Sequence, residues 1–394
     1  MKILQGLRRR TKYLIAALII AGLLFPVLSC NFSFAGEEPG PGKEPVPWEE
    51  EGIGKWKTEQ PLHEVYTSQF LVGNIVSPGD LNNTTRFDLL KRHFNTATAE
   101  NQMKPDAIAP SAKGGVYRFT QADSLINAVN AAGMTMHGHV LVWHSQTPSW
   151  LTTGDKATVL ANLEKYVTDV AAHFKGKLIS WDVVNEVMRD GLTAAEAANW
   201  KNCLRMTDNP WNKAIGPEYI EKAFLAARAA DPDAKLFYND FNLNNAEKAR
   251  AVYNMVADIN NRYPNEKGRK LIDGIGMQSH HHIYTDPNTV EASIILFASL
   301  GVDITISEMD IQAAETSAWG NPALSWGENA ARLQAKQYAA MFRIFKNHAS
   351  KISRVTFWGL DDGTSWRART HPTLLRNDYG LKLAFYAVAD PSRY

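Results

Sequence analysis

The chain has 394 residues, 45% of them hydrophobic and 21% charged, with a formal net charge of +1. It is therefore an ordinary globular composition, long enough for one large domain or two small ones. Lys2, Arg8, Arg9, Arg10 and Lys12 place five positive charges at the extreme N-terminus, and the seven acidic and three basic residues between positions 31 and 61 account for the deficit that follows, so the remainder is near neutral and a poor electrostatic match for nucleic acid.

The first 30 residues pair a basic start with an apolar stretch from about Tyr13 to Leu28, broken by Pro26 and ending in small residues. This is the pattern of an export signal, and the apolar run is shorter than the roughly 18–20 residues of a membrane span. Two processing routes fit. Val27-Leu28-Ser29-Cys30 is similar to a bacterial lipoprotein box, with lipid on the Cys30 thiol and the membrane as a partner, whereas Ser33-Phe34-Ala35 would allow ordinary cleavage before Gly36. The lipoprotein route is preferred, which places the exported chain at the cell surface. Cys203 is the only other cysteine, so at most one disulfide can form, and none if Cys30 is lipidated. Residues 31–61 are dense in Pro, Gly and Glu and read as a solvated tether. From residue 62 to 394 no second linker, low-complexity stretch or close repeat interrupts the chain, which predicts a single domain; the expectation for its assembly is a monomer.

Within that domain short apolar or β-branched runs alternate with longer amphipathic segments, the pattern of a parallel sheet covered by helices. Eight runs read as strands: 70–76, 94–99, 135–142, 178–184, 234–238, 272–277, 303–307 and 355–358. Several end in residues a buried strand does not need, namely Glu100, Asn185-Glu186, Asn239-Asp240, Gln278, Glu308 and Trp358. Glu186 and Glu308 are 122 positions apart, about three βα units of a domain divided eight ways. In a closed (β/α)8 TIM barrel of class α/β, the fourth and seventh strands face one another, and both open onto the C-terminal face where such barrels carry their chemistry. An open doubly wound sheet is the alternative, but no G-x-G-x-x-G or P-loop pattern supports it.

Ser180-Trp181-Asp182-Val183-Val184-Asn185-Glu186, followed downstream by Thr305-Ile306-Ser307-Glu308-Met309-Asp310, resembles the two signature segments of the family-10 glycoside hydrolases. The resemblance extends over nearly the whole domain. It includes Thr98-Ala99-Glu100-Asn101-Gln102-Met103-Lys104, the run Gly138 to Gln146, Gly276-Met277-Gln278-Ser279-His280, and the run Trp358 to Trp366. It implies a retaining endo-β-1,4-xylanase acting on xylan and xylo-oligosaccharides, with Glu186 as general acid/base, Glu308 as nucleophile and no cofactor or metal.

The chemistry of the pair stands apart from the family. Cutting a glycosidic bond needs one protonated carboxyl for the departing oxygen and one ionised carboxylate beside an oxocarbenium-like centre. Two glutamates sharing a cleft supply both states, and a separation of about 5–5.5 Å would mark retention. By resemblance, Asn185 meets the sugar 2-hydroxyl, His280 and Asp310 orient Glu308, and Glu100, Asn101, Lys104, His139 and Gln278 form a polar sugar-binding floor. Trp143, Trp358 and Trp366 supply ring walls, with His280 also facing substrate. The run His280-His281-His282 invites a metal reading, but three adjacent residues on a strand and its exit cannot all face one ion. Phe241 stands where the family commonly has tyrosine, and the segment 190–217 is a long loop that either shapes the cleft or covers it. A glucanase or mannanase from a related barrel family, and a catalytically silent surface protein that captures polysaccharide, remain the alternative functions.

Overall fold

Among the described residues the strands are β1 Leu71–Val76, β2 Thr96–Ala99, β3 Thr135–Val142, β4 Ser180–Asn185, β5 Lys235–Asp240, β6 Gly274–Met277, β7 His280–His282, β8 Asp303–Gln312 and β9 Ile352–Phe357, most of them rich in β-branched, aromatic or small residues. The structure, a computed structural model, describes residues 54–111, 116–263, 269–313 and 323–394. The export signal, the lipidation candidate Cys30 and residues 31–53 of the tether lie outside the described residues, whereas Lys55–Lys57 forms a short turn that buries Trp56 against the domain, so the domain begins before residue 62.

All the strand ladders are parallel, and the pairings of β6 with β8 and of β9 with β1 close the sheet into a barrel. β6 and β7 are two segments of one stave, because β8 pairs first with Gly274–Met277 and then with His280–His282. Eight staves result, as the sequence pattern predicts. β8 runs five residues beyond the expected end at Ser307, since β7 supplies a partner for its second half. Glu308 therefore lies inside a strand. The register against β9 shifts between Ile306 and Met309, and this irregularity breaks the strict alternation of side chains, so that Ser307 and Glu308 both reach Asn239.

Helices cover the outside. Helix Lys156–His173 starts where Asp155 Oδ1 accepts from Thr158 N at 2.8 Å, a cap worth about 1 kcal/mol, and it buries Val159, Leu163, Tyr166, Val167 and Val170. Helix Glu328–Asn347 packs Tyr338, Phe342 and Phe345 against the same apolar shell. Inside the barrel the chemistry reverses: Thr96, Thr98, Asp182, Thr305, Arg354 and Thr356 are each at most 2% exposed. Eight-stranded barrels usually fill this space with branched apolar side chains. Here Gly73 lets Thr96 and Thr356 approach, because an added Cβ would lie 2.7 Å from Thr96 Cγ2 and 3.0 Å from Thr356 Oγ1.

Candidate active site

β4 delivers Glu186 by turning sharply at its end. The Glu186 backbone sits at φ 56°, a left-handed conformation that costs a non-glycine residue about 1–3 kcal/mol and persists only where its surroundings hold it. They do so at both ends: Glu186 N donates to Asn239 O at 2.9 Å, and Arg205 Nε donates to Glu186 O at 3.0 Å. The carboxyl is then caught by three donors, Gln278 Nε2 at 2.8 Å and Asn185 Nδ2 at 3.2 Å on Oε1, and Trp143 Nε1 at 2.9 Å on Oε2.

Glu308 enters from across the barrel and is 5% exposed. Asn239 Nδ2 donates to its Oε1 at 2.8 Å, and His280 Nε2 lies 3.2 Å from Oε2. The same imidazole is 2.9 Å from Asp310 Oδ2 through Nδ1. Asp310 in turn accepts from Trp366 Nε1 at 2.9 Å and from Arg367 at 3.2 Å. Burial alone would discharge His280, but the charge and hydrogen bond of Asp310, followed by those of Glu308, override it and push the imidazole up to about 9. Burial likewise favours a neutral Glu308, yet the His280 hydrogen bond and the charges of His139 and His280 hold its carboxyl below the ordinary glutamate value. Asp310 is kept low in the same way, burial being outweighed by His280 and Arg367.

An amide ladder links the two carboxylates. Asn185 Oδ1 accepts from Asn239 Nδ2 at 3.0 Å and from Gln278 Nε2 at 3.3 Å, so the route from Glu186 to Glu308 runs through Gln278, Asn185 and Asn239. Sequence reading assigns Gln278 to the sugar floor; the structure places its amide on Glu186. Asn239 is the functional residue that reading missed, although it ends its strand in the same manner as Glu186. Its place depends on Gly276, where an added Cβ would fall 2.3 Å from Asn239 Oδ1.

The remaining candidates surround this pair. Lys104 Nζ donates to Asn101 Oδ1 at 2.8 Å and lies 5.3 Å from the centroid of the Trp143 ring. Burial lowers its pKa against the pull of Glu308 and Glu100, and burial raises that of Glu100 against Lys104. His139 is fixed by Asp182 at 2.9 Å and meets the buried Trp358 edge-on. Trp366 exposes 56% of its surface while its indole nitrogen anchors Asp310, so its ring is open to a ligand. His281 and His282 are both buried, and His282 stacks on Tyr284 rather than joining His280.

The segment 190–217 shapes the cleft. Trp211 Nε1 braces Trp143 O at 3.0 Å, and Arg205 holds the Glu186 backbone. Phe241 lies beneath two cations, Lys248 Nζ at 3.7 Å and Arg205 at 5.4 Å from its ring centroid. From His280 a cavity of about 870 Å³ opens outward past Asn242, Asn245, Asp190 and Arg250. That cavity is lined by neither Glu186 nor Glu308; an ionised carboxylate and a hydrogen-bonded second carboxyl set close together at the barrel end can perform acid-assisted displacement at a sugar carbon.

Comparison with known proteins gives a consistent result. The profile of glycosyl hydrolase family 10 matches residues 61–391. Endo-1,4-beta-xylanase A of Thermotoga maritima is 39% identical over 342 residues, a match that spans 84% of this chain and 30% of that protein. Beta-1,4-xylanase of Dictyoglomus thermophilum is 38% identical over 83% of this chain and 90% of its own length. The chain thus spans about a third of the Thermotoga relative and most of the Dictyoglomus one. A crystal structure of a bacterial Ig-like domain containing GH10 xylanase from termite gut superposes with a TM-score of 0.77 at 35% identity, covering 85% of this chain and 78% of that one.

Proposed function

The chain belongs to glycosyl hydrolase family 10, and on that premise we propose that it is an endo-β-1,4-xylanase that cuts internal β-1,4-xylosidic bonds with retention of configuration. The carrying observation is the contrast between two linked glutamates: Glu308 is buried and held ionised through His280, while Glu186, at the other end of the amide ladder, is the more exposed of the two. Glu186 gives its proton to the glycosidic oxygen as the bond breaks, and Glu308 attacks the anomeric carbon to form a glycosyl ester. Glu186, now a carboxylate, takes a proton from water, whose oxygen displaces Glu308 and restores both groups. Asn185 meets the 2-hydroxyl of the reacting sugar. Glu100, Asn101, Lys104 and His139 read neighbouring hydroxyls, and Trp143, Trp358 and Trp366 present ring surfaces that suit the C–H faces of pyranoses.

Hydrolysis of glucuronoxylan, barley β-glucan and mannan by the wild type, Glu186→Ala and Glu308→Ala tests this reading. Preferential xylan cleavage lost in both variants upholds it. Preferential cleavage of glucan or mannan reassigns the substrate, and xylan binding without cleavage of any glycan makes the protein a capture protein. The N-terminal pattern further supports export and lipidation at Cys30; incorporation of a fatty-acid analogue that disappears in Cys30→Ala would establish it.

A further inference from the structure

Arginine is almost never fully buried unless something pairs with it. Arg354, on β9 inside the barrel, is 2% exposed, and its Nε, Nη1 and Nη2 have no hydrogen-bond partner among the described residues. The buried lysines behave otherwise. Lys104 bonds Asn101, Lys248 meets Asp190 and Asp240, and Lys382 meets Asp362 at 3.0 Å. Packed in without a hydrogen bond to any described residue, this guanidinium acts on its surroundings chiefly through its charge. Burial pulls its pKa down to about 10, which leaves it a cation at neutral pH, and the carboxylates that oppose this loss are Asp182, Asp303 and Glu308.

Position narrows the choice. Asp303 already has Lys235 Nζ at 2.7 Å. Arg354 stands beside Thr305 in the β8–β9 ladder, three residues before Glu308. Asp182 accepts from His139 at 2.9 Å and has His137 Nε2 at 3.0 Å, but His137 is pushed down to about 4 by burial first and by Arg354 next, and is neutral. Around Glu308 the charged and titratable neighbours are His280 on β7, Asp310 on β8, His139 on β3, Asp182 on β4 and Lys104 after β2. His280 divides its charge between Glu308 and Asp310, and Asp182 opposes ionisation of Glu308.

We propose that Arg354 is a positioning residue of this catalytic centre, a fixed cation beneath the barrel mouth whose charge compensates Asp182 and keeps Glu308 ready as a carboxylate. Removing that charge leaves two carboxylates in one low-dielectric space with less to offset them, and the proton affinity of Glu308 rises. The inference rests on the reading of Glu308 as nucleophile.

The test is the pH profile of kcat/KM on soluble xylan for the full-length wild type, Arg354→Met and Arg354→Lys, whose acid limb reports the carboxylate of the free enzyme. The expected result is an acid limb moved up by about one pH unit in Arg354→Met, with KM nearly unchanged, and a limb at the wild-type position in Arg354→Lys. An unmoved limb in Arg354→Met, with activity lowered evenly at all pH values, overturns the proposal. Should Arg354→Met fail to fold, Arg354→Gln takes its place: a limb raised by about a unit supports the role of the charge, and an unmoved limb overturns it. A wild type that cleaves no glycan sinks the functional reading instead, which separates the two failures.

Discussion

Asn239 donates from Nδ2 to Glu308 Oε1 at 2.8 Å while its own Oδ1 accepts from Ser307 Oγ at 2.5 Å, so the amide is locked in the orientation that serves the carboxylate. Asn239→Ala removes a preorganised donor from the reacting group. The expected loss in kcat/KM is about 10²-fold with little change in KM. Gly276→Ala should lose activity in the same direction, because its Cβ would press on Asn239 Oδ1. Steady-state kinetics on xylo-oligosaccharides check both, and a loss of less than about threefold in Asn239→Ala would remove this residue from the machinery.

Retention has a stereochemical signature. The first product seen by proton NMR should be the β-anomer. Replacing either glutamate should cost roughly 10²–10⁴-fold or more in rate. On aryl xylobiosides, azide should rescue Glu186→Ala to a β-glycosyl azide and Glu308→Ala to an α-glycosyl azide. An α-anomer as first product from the wild type would establish inversion.

His280 ties stability to pH. Its folded pKa is raised from 6.5 to about 9, so its contribution is fully present below pH 6.5 and is lost as pH rises through 9. Glu308 and Asp310 are depressed, so theirs is present above the ordinary carboxylate range and is lost as pH falls below it. Urea unfolding should show the wild type losing roughly 2–3 kcal/mol more than His280→Gln between pH 6 and pH 10. Parallel pH curves for the two proteins would contradict the Glu308–His280–Asp310 linkage.

Lys248 is 1% exposed and meets Asp240, itself fully buried, at 3.1 Å, while its ammonium covers the Phe241 ring. Lys248→Met strands a buried carboxylate whose proton affinity burial already raises. The expected destabilisation is about 3–5 kcal/mol. A double variant with Asp240→Asn should recover part of it, and equilibrium denaturation of the three proteins measures the coupling.

Much of the fold was legible because strand and helix signals are local. The runs at 135–142 and 272–277 are short, apolar or β-branched and carry glycines that weaken a helix, and the structure places a strand in each. Glu186 and Glu308 stood out for a different reason: each ends an apolar run, a mark that a salt-bridge partner could also carry, and it was the resemblance of both flanking segments to the family-10 signatures that singled out the pair. Gln278 and Asn239 carry the same local mark, and nothing local distinguishes an amide that holds the acid from one that holds the nucleophile.

The sequence by itself therefore determined the barrel and its eight staves, and it nominated the carboxylate pair, since each follows from periodicity, spacing and motif along the chain. Only the tertiary structure decided that β6 and β7 form one interrupted stave, that Asn185, Asn239 and Gln278 join into a ladder, and that Arg354, beside Thr305, has no hydrogen-bond partner among the described residues. The reason is geometric. Those relationships depend on the register of staves distant in sequence and on the curvature of a closed sheet, and a single-residue shift in either would send the same side chains to the opposite face.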